Sequence, residues 1–179
     1  MSDSRWPARA ALRALLVLAF VLTPLALAAT RAGDAPDPQG SQAAAVEQRL
    51  WREVNAWREQ QGLAPLVRDA ALDRLARRHS RHMAEAGFFS HRTPAGAGLV
   101  ARVRAAGIDY RAVAENLATG RHIEQPAQSA LAGWRRSDGH RRNLQSPRFT
   151  RTGVGFWREG DRHYLTQIYL RPPRPGARD

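Results

Sequence analysis

Gly133 to Leu144 reads G-W-R-R-S-D-G-H-R-R-N-L. This stretch sets a large apolar anchor, Trp134, close to an ionisable His140 and a hydrogen-bonding Asn143, with Asp138-Gly139 read as a turn between them. Two upstream segments have the same character. His91 ends the apolar run Phe88-Phe89-Ser90-His91, and Glu115 stands inside Val113-Ala114-Glu115-Asn116-Leu117-Ala118. Ionisable groups in apolar surroundings are costly unless they pair with each other, with a metal or with a ligand. Three such segments therefore predict one shared cleft.

The period of the apolar residues gives the elements around it. Val46, Leu50, Val54 and Trp57 recur at helical spacing and predict a helix over Ala43 to Gln61, with Gly62 as its stop. Asp69 is placed to cap a second helix reaching Ala86, with Leu72, Leu75, Ala76, His79 and Met83 inward and Gly87 at its end. Phe88 to Pro94 reads as irregular, Leu99 to Ala106 as a short helix, and Pro126 as the first turn of a helix running to about Arg136. Thr152 to Arg158 and His163 to Arg171 then alternate, with Glu159-Gly160-Asp161 as a hairpin turn. Helices first and a hairpin last predict an α+β domain.

The motifs resemble those of the CAP superfamily (cysteine-rich secretory proteins, antigen 5, pathogenesis-related 1) in its bacterial secreted branch. The resemblance rests on Asn55-x-x-Arg58, Ser90-His91, Glu115-Asn116, Trp134 to Leu144, Gly153-Val154-Gly155 and Thr166-Gln167, in this order over about residues 45 to 171. It implies a three-layer α-β-α sandwich, about four helices around a small, mainly antiparallel sheet, with a further strand near Tyr110 to Leu117. It also implies a cleft of two His and two Glu, which in some members holds a divalent metal. Only part of that set is present. His91 and Glu115 match the first histidine and the first glutamate. Tyr164 stands at the second histidine's position, since His163 is one residue off and faces the other way along a strand. Ser137 and His140 occupy the region of the second glutamate. The expected cleft is thus His91, Glu115, His140 and Tyr164, with Ser137 at the rim.

Two imidazoles and a carboxylate suit zinc or another divalent cation, with His91 and His140 as ligands and Glu115 as ligand or base. Against this stands a purely structural hydrogen-bond network of Glu115 and His140. Ser137 near His140 lacks a G-x-S-x-G elbow and reads as a turn cap rather than a nucleophile. Arg141 and Arg142 suit an anion, or else a local acid. Asn116 reads as a turn residue, Asn143 as a backbone partner, Trp134 as a core anchor and His79 as a satisfied core histidine. His122 and His163 show no partner in the sequence.

Residues 1–28 read as a signal peptide: Arg5, Arg9 and Arg13, an apolar run from Leu15 to Leu27, and Ala26-Leu27-Ala28 before the cut. An uncleaved anchor is the alternative. Residues 29–42 read as a flexible linker, 43–172 as the domain and 173–179 as a frayed tail. No cysteine is present, so neither disulfides nor lipid attachment at a cysteine is available. All 28 basic residues are arginine and the net charge is +12, which favours anionic surfaces, or else reflects a codon bias that replaces lysine with arginine and general solubility, since the arginines are scattered among Glu and Asp. No nucleic-acid recognition motif accompanies that charge. The expectation is a monomeric periplasmic or extracellular protein without a membrane span after cleavage. It binds a lipid or anionic cell-envelope component; a metal-assisted hydrolase of peptide or wall bonds, or an adaptor without chemistry, are the alternatives.

Overall fold

Gly153 and Gly155 show how the layers are joined. A Cβ at Gly153 would lie 2.2 Å from the Leu72 carbonyl carbon, and one at Gly155 would lie 2.1 Å from the Arg77 nitrogen. One helix therefore lies directly on the backbone of the strand that carries these glycines. The structure, a computed structural model, describes residues 38–174. The expected signal peptide, most of the expected linker and residues 175–179 lie outside the described residues.

Helix α1 spans Pro38–Gln60, strand β1 Val67–Arg68, α2 Ala70–Glu85 and α3 Leu99–Ala105. Strand β2 spans Ala112–Arg121, α4 Pro126–Arg136, α5 Asp138–Gln145, β3 Arg151–Glu159 and β4 Arg162–Arg171. The sheet order is β1-β3-β4-β2, antiparallel except for β1 beside β3. The expected α+β sandwich is present, with five helices and four strands among the described residues.

Strand alternation divides the core in two. Ile168 and Leu170 of β4 face Leu72, Leu75 and Ala76 of α2 and Val103 of α3. Val154, Phe156, Leu165 and Tyr169 face Leu50, Val54 and Trp57 of α1, Leu131 and Trp134 of α4, and Leu144 of α5. Asp69 caps α2 through Ala71 and Leu72 N–H, as its sequence position predicts.

Four local expectations change. Helix α1 begins at Pro38 rather than Ala43, because proline suits a first turn and Gly40, close to the helix start, does not interrupt it. Asp138-Gly139 is not a turn but the start of α5, where an acidic residue in the first turn is favourable. Ser137 stands at its N-cap position with no side-chain capping bond. Asn116 is not in a turn but lies mid-strand and fully buried.

Buried polar residues tie the layers together. Glu47 of α1 accepts from Arg68 and Arg77 and from the Phe156 N–H. Asp73 accepts from Arg68 and the Val154 N–H. Asn55 bonds both the N–H and the C=O of Leu66, at 2.8 and 3.0 Å. Arg58 is buried and donates to the carbonyls of Ala64, Leu144 and Ser146. The Asn55-x-x-Arg58 motif thus fixes the chain after α1 and the end of α5. No helix among the described residues is long and apolar enough to cross a membrane.

Candidate functional site

Strand β2 supplies Glu115, which faces α2 and α3, and Asn116, which faces the opposite layer. The β2 edge is covered by α4 and α5. Trp134 Nε1 donates to the Leu117 carbonyl at 2.8 Å, and Asn143 Nδ2 to the Glu115 carbonyl at 3.4 Å and to Asn116 Oδ1 at 2.9 Å. Asn116 in turn donates to the His140 carbonyl and to the Tyr169 hydroxyl, which donates to Gln167. These bonds set α5, and with it His140, against β2. Burial raises the Tyr169 phenol well above its ordinary value, so it stays protonated and a donor.

Glu115 is the centre of the site. Its Oε1 accepts from Arg102 Nη2 at 2.7 Å and lies 2.9 Å from His91 Nδ1. The Glu115 side chain is 2% exposed and that of His91 57%. Burial alone would raise the carboxyl pKa. The His91 hydrogen bond and the Arg102 charge together outweigh it and hold the pKa below the usual value. His140 is half-buried, and both its desolvation and the nearby His91 push its pKa down. His91, Glu115 and His140 are therefore brought together, with His91 rather than His140 as the carboxylate's partner.

Tyr164 is further away. It pairs in register with Thr119, four residues along β2 from Glu115 and thus about 13 Å. It packs with Met83 and Leu117 beneath the Arg162 guanidinium. His163 does lie on the other face, where its ring stacks on Phe156. His122 pairs with Asp161 at 3.0 Å. Arg141 is bound to Asp138, the local acid, whereas Arg142 is exposed. His79 is buried with Nε2 at 3.0 Å from the Ser90 carbonyl, although Nδ1 lacks a partner.

Arg102 carried no motif. It is one of 28 arginines, and its signal is positional: it follows Leu99 by three and adjoins Val103, on the edge of the apolar stripe of α3.

Beside His140 runs a groove of about 380 Å³. Leu117, Ala118, Ala130 and Trp134 line it with apolar surface, Ser137, His140 and Arg136 with polar groups, and the exposed Phe89 stands at its margin. No group of three or more His, Asp or Glu that suits a metal occurs among the described residues. Glu115 is already taken by Arg102 and His91, so the three-ligand set expected from His91, His140 and Glu115 does not assemble. His91 Nδ1 is oriented by a carboxylate and leaves Nε2 for a ligand, as metal-binding histidines often do.

This sandwich, with a His-Glu pair at the end of a covered strand edge, defines a class by its architecture, and comparison gives the family. The CAP family model, described as the cysteine-rich secretory protein family, matches residues 51–169. The chain belongs to the CAP family. It is 33% identical over 120 residues to the uncharacterized protein YkwD of Bacillus subtilis, covering 67% of this chain and 46% of YkwD. Among solved structures it resembles an extracellular protein with an SCP domain from Bacillus anthracis (28% identity, TM-score 0.69, 76% of this chain and 44% of that one). It shares its fold with an outer surface protein of Borrelia burgdorferi (18% identity, TM-score 0.65, 70% of this chain and 92% of that one). The chain spans under half the length of YkwD and of the B. anthracis protein.

Proposed function

We propose that this chain is an exported binding module that takes a lipid or other amphiphilic envelope component in the groove beside His140. The observation that carries this reading is the make-up of the groove: an apolar floor of Leu117, Ala118, Ala130 and Trp134 under a polar, basic rim of Ser137, His140 and Arg136. Such a surface suits an acyl chain that ends in a polar or anionic group. The extracellular and outer-surface origin of the structural neighbours agrees with export, as does the expected signal peptide.

Acid-base chemistry has less support. Glu115 is held below the usual carboxylate range, and a carboxylate so stabilised is a weak proton acceptor at neutral pH. Ser137 has no hydrogen bond to a base among the described residues. A divalent ion bound by His91 and His140 is the second reading, favoured by the Glu115–His91 bond; zinc would supply Lewis acidity there.

Gly133 gives the test. Gly133 lines the groove and a Cβ there meets nothing within 4 Å, so the side chain of Gly133→Leu starts in open space beside the groove. A fluorescent long-chain fatty acid is titrated into the full chain and into Gly133→Leu. Binding weakened by about tenfold or more at unchanged thermal stability supports the groove as the site. Equal binding by both refutes it. For the second reading, zinc calorimetry with His91→Ala and His140→Ala must show binding lost in each.

A further inference from the structure

We propose that the pocket between α2 and α3 is a binding site for a phosphate group, held by the guanidinium groups of Arg78 and Arg102. The pocket has a volume of about 420 Å³, and its walls include Arg78, His79, His82, Thr93 and Arg102 over an apolar base at Leu75. It is separate from the groove beside His140, with which it shares no lining residue.

Charge is the first argument. Every polar side chain of the pocket is cationic, ionisable to a cation, or a hydroxyl, and no Asp or Glu lines it. Arg78 is exposed and has no ion pair or hydrogen bond among the described residues. Thr93 Oγ1 accepts from the Ala97 N–H, which leaves its hydrogen for an acceptor. Arginine is suited to phosphate because its planar donor set meets two oxygens at once.

Unpaired atoms are the second argument. Five buried side-chain polar atoms lack partners among the described residues: His79 Nδ1, Arg102 Nε, Arg102 Nη1, Glu115 Oε2 and Arg158 Nε. Two of the five are donors of Arg102 itself, and His79 Nδ1 belongs to another residue that lines this pocket. Buried donors without acceptors are rare in folded proteins and call for a missing partner. A phosphate supplies the acceptors that Arg102 lacks, directly or through one bridging water.

His79 makes the site selective. Its Nε2 faces the Ser90 carbonyl and must carry the ring proton, so Nδ1 is an unprotonated acceptor. Burial, then the Arg102 charge, hold its pKa down at about 4, which keeps the ring neutral at neutral pH. Inorganic phosphate at neutral pH retains a hydroxyl that donates to Nδ1. Sulfate has no such hydrogen, so phosphate is bound in preference to sulfate.

The test is calorimetry on the full chain at pH 7 and constant ionic strength, with sodium phosphate as titrant and sulfate in parallel. Arg78→Ala removes an unpaired surface side chain and leaves the fold intact. Arg104→Ala removes an exposed arginine of α3 that does not line the pocket and serves as the charge control. The proposal expects saturable phosphate binding, weakened by about tenfold in Arg78→Ala, unchanged in Arg104→Ala, and weaker for sulfate. No saturable binding overturns it, as does an equal loss in both variants, which would mean diffuse charge attraction. Vesicles of phosphatidylcholine with and without phosphatidic acid locate the source. Retention on phosphatidic acid that free phosphate displaces assigns the group to a lipid head; phosphate binding without retention assigns it to a soluble ion.

Discussion

Arg102 Nη2 and Glu115 Oε1 meet at 2.7 Å between α3 and β2, with side chains 11% and 2% exposed. This pair joins the helix that flanks one pocket to the strand that carries the cleft. Removing one member of a buried pair leaves an uncompensated charge. Arg102→Ala is therefore expected to cost about 3–5 kcal/mol, read as a lower urea midpoint. The double variant Arg102→Leu/Glu115→Leu should recover most of that loss, because two apolar groups leave no charge unpaired. A double variant as unstable as the single one would contradict this account.

Stability is expected to fall on acidification in two steps. His79 has a folded pKa of about 4 against an ordinary 6.5. Between these values the unfolded chain binds the extra proton, so stability is full above pH 6.5 and declines as pH drops towards 4. The slope from this one group is about 1.4 kcal/mol per pH unit. Desolvation lowers His140 and His163 in the same sense. Glu115, held low by His91 and Arg102 against its burial, adds a loss that begins below the ordinary glutamate pKa. Urea midpoints between about pH 4 and pH 7 should show a shallower slope in His79→Gln than in the parent chain.

The glycines make opposite predictions by position. Gly155→Ala sets a methyl 2.1 Å from the Arg77 nitrogen and must push α2 off the sheet. Its cost should reach or exceed about 3 kcal/mol, the upper part of the overpacking range. Gly133→Ala, inside α4 with open space around the new methyl, should instead stabilise by up to about 1 kcal/mol. Thermal melts of the two variants decide both.

Arg58 acts on the cleft from α1, 86 positions from Leu144, whose carbonyl it binds at 2.7 Å. Arg58→Met keeps the apolar stem and removes the bonds to the end of α5. A loss of about 3 kcal/mol is expected, with faster amide exchange in residues 138–145 than in α2. Exchange raised equally everywhere would mean that Arg58 stabilises the domain as a whole and does not anchor α5.

The sequence by itself determined four of the five helices, the hairpin and the class of fold, because these depend on local period and on stop signals such as Gly62, Gly87 and Pro126. It also put His163 on the opposite face of its strand from Tyr164, since strand alternation is a local property. Helix α5 was hidden by Asp138-Gly139, a pair that favours turns until Arg58 of α1 and Asn116 of β2 hold the segment, with its own Asn143 bonding back to β2. Only tertiary structure decided the partners. Glu115 is met by an arginine from α3, and Glu47 by arginines from β1 and α2. Both Arg102 and Glu47 sat on apolar stripes, Glu47 three before Leu50 and seven before Val54, which marks a charge as buried but leaves its partner open. A sequence of 28 arginines offers many equivalent partners, and the choice among them is made by packing of elements far apart in the chain.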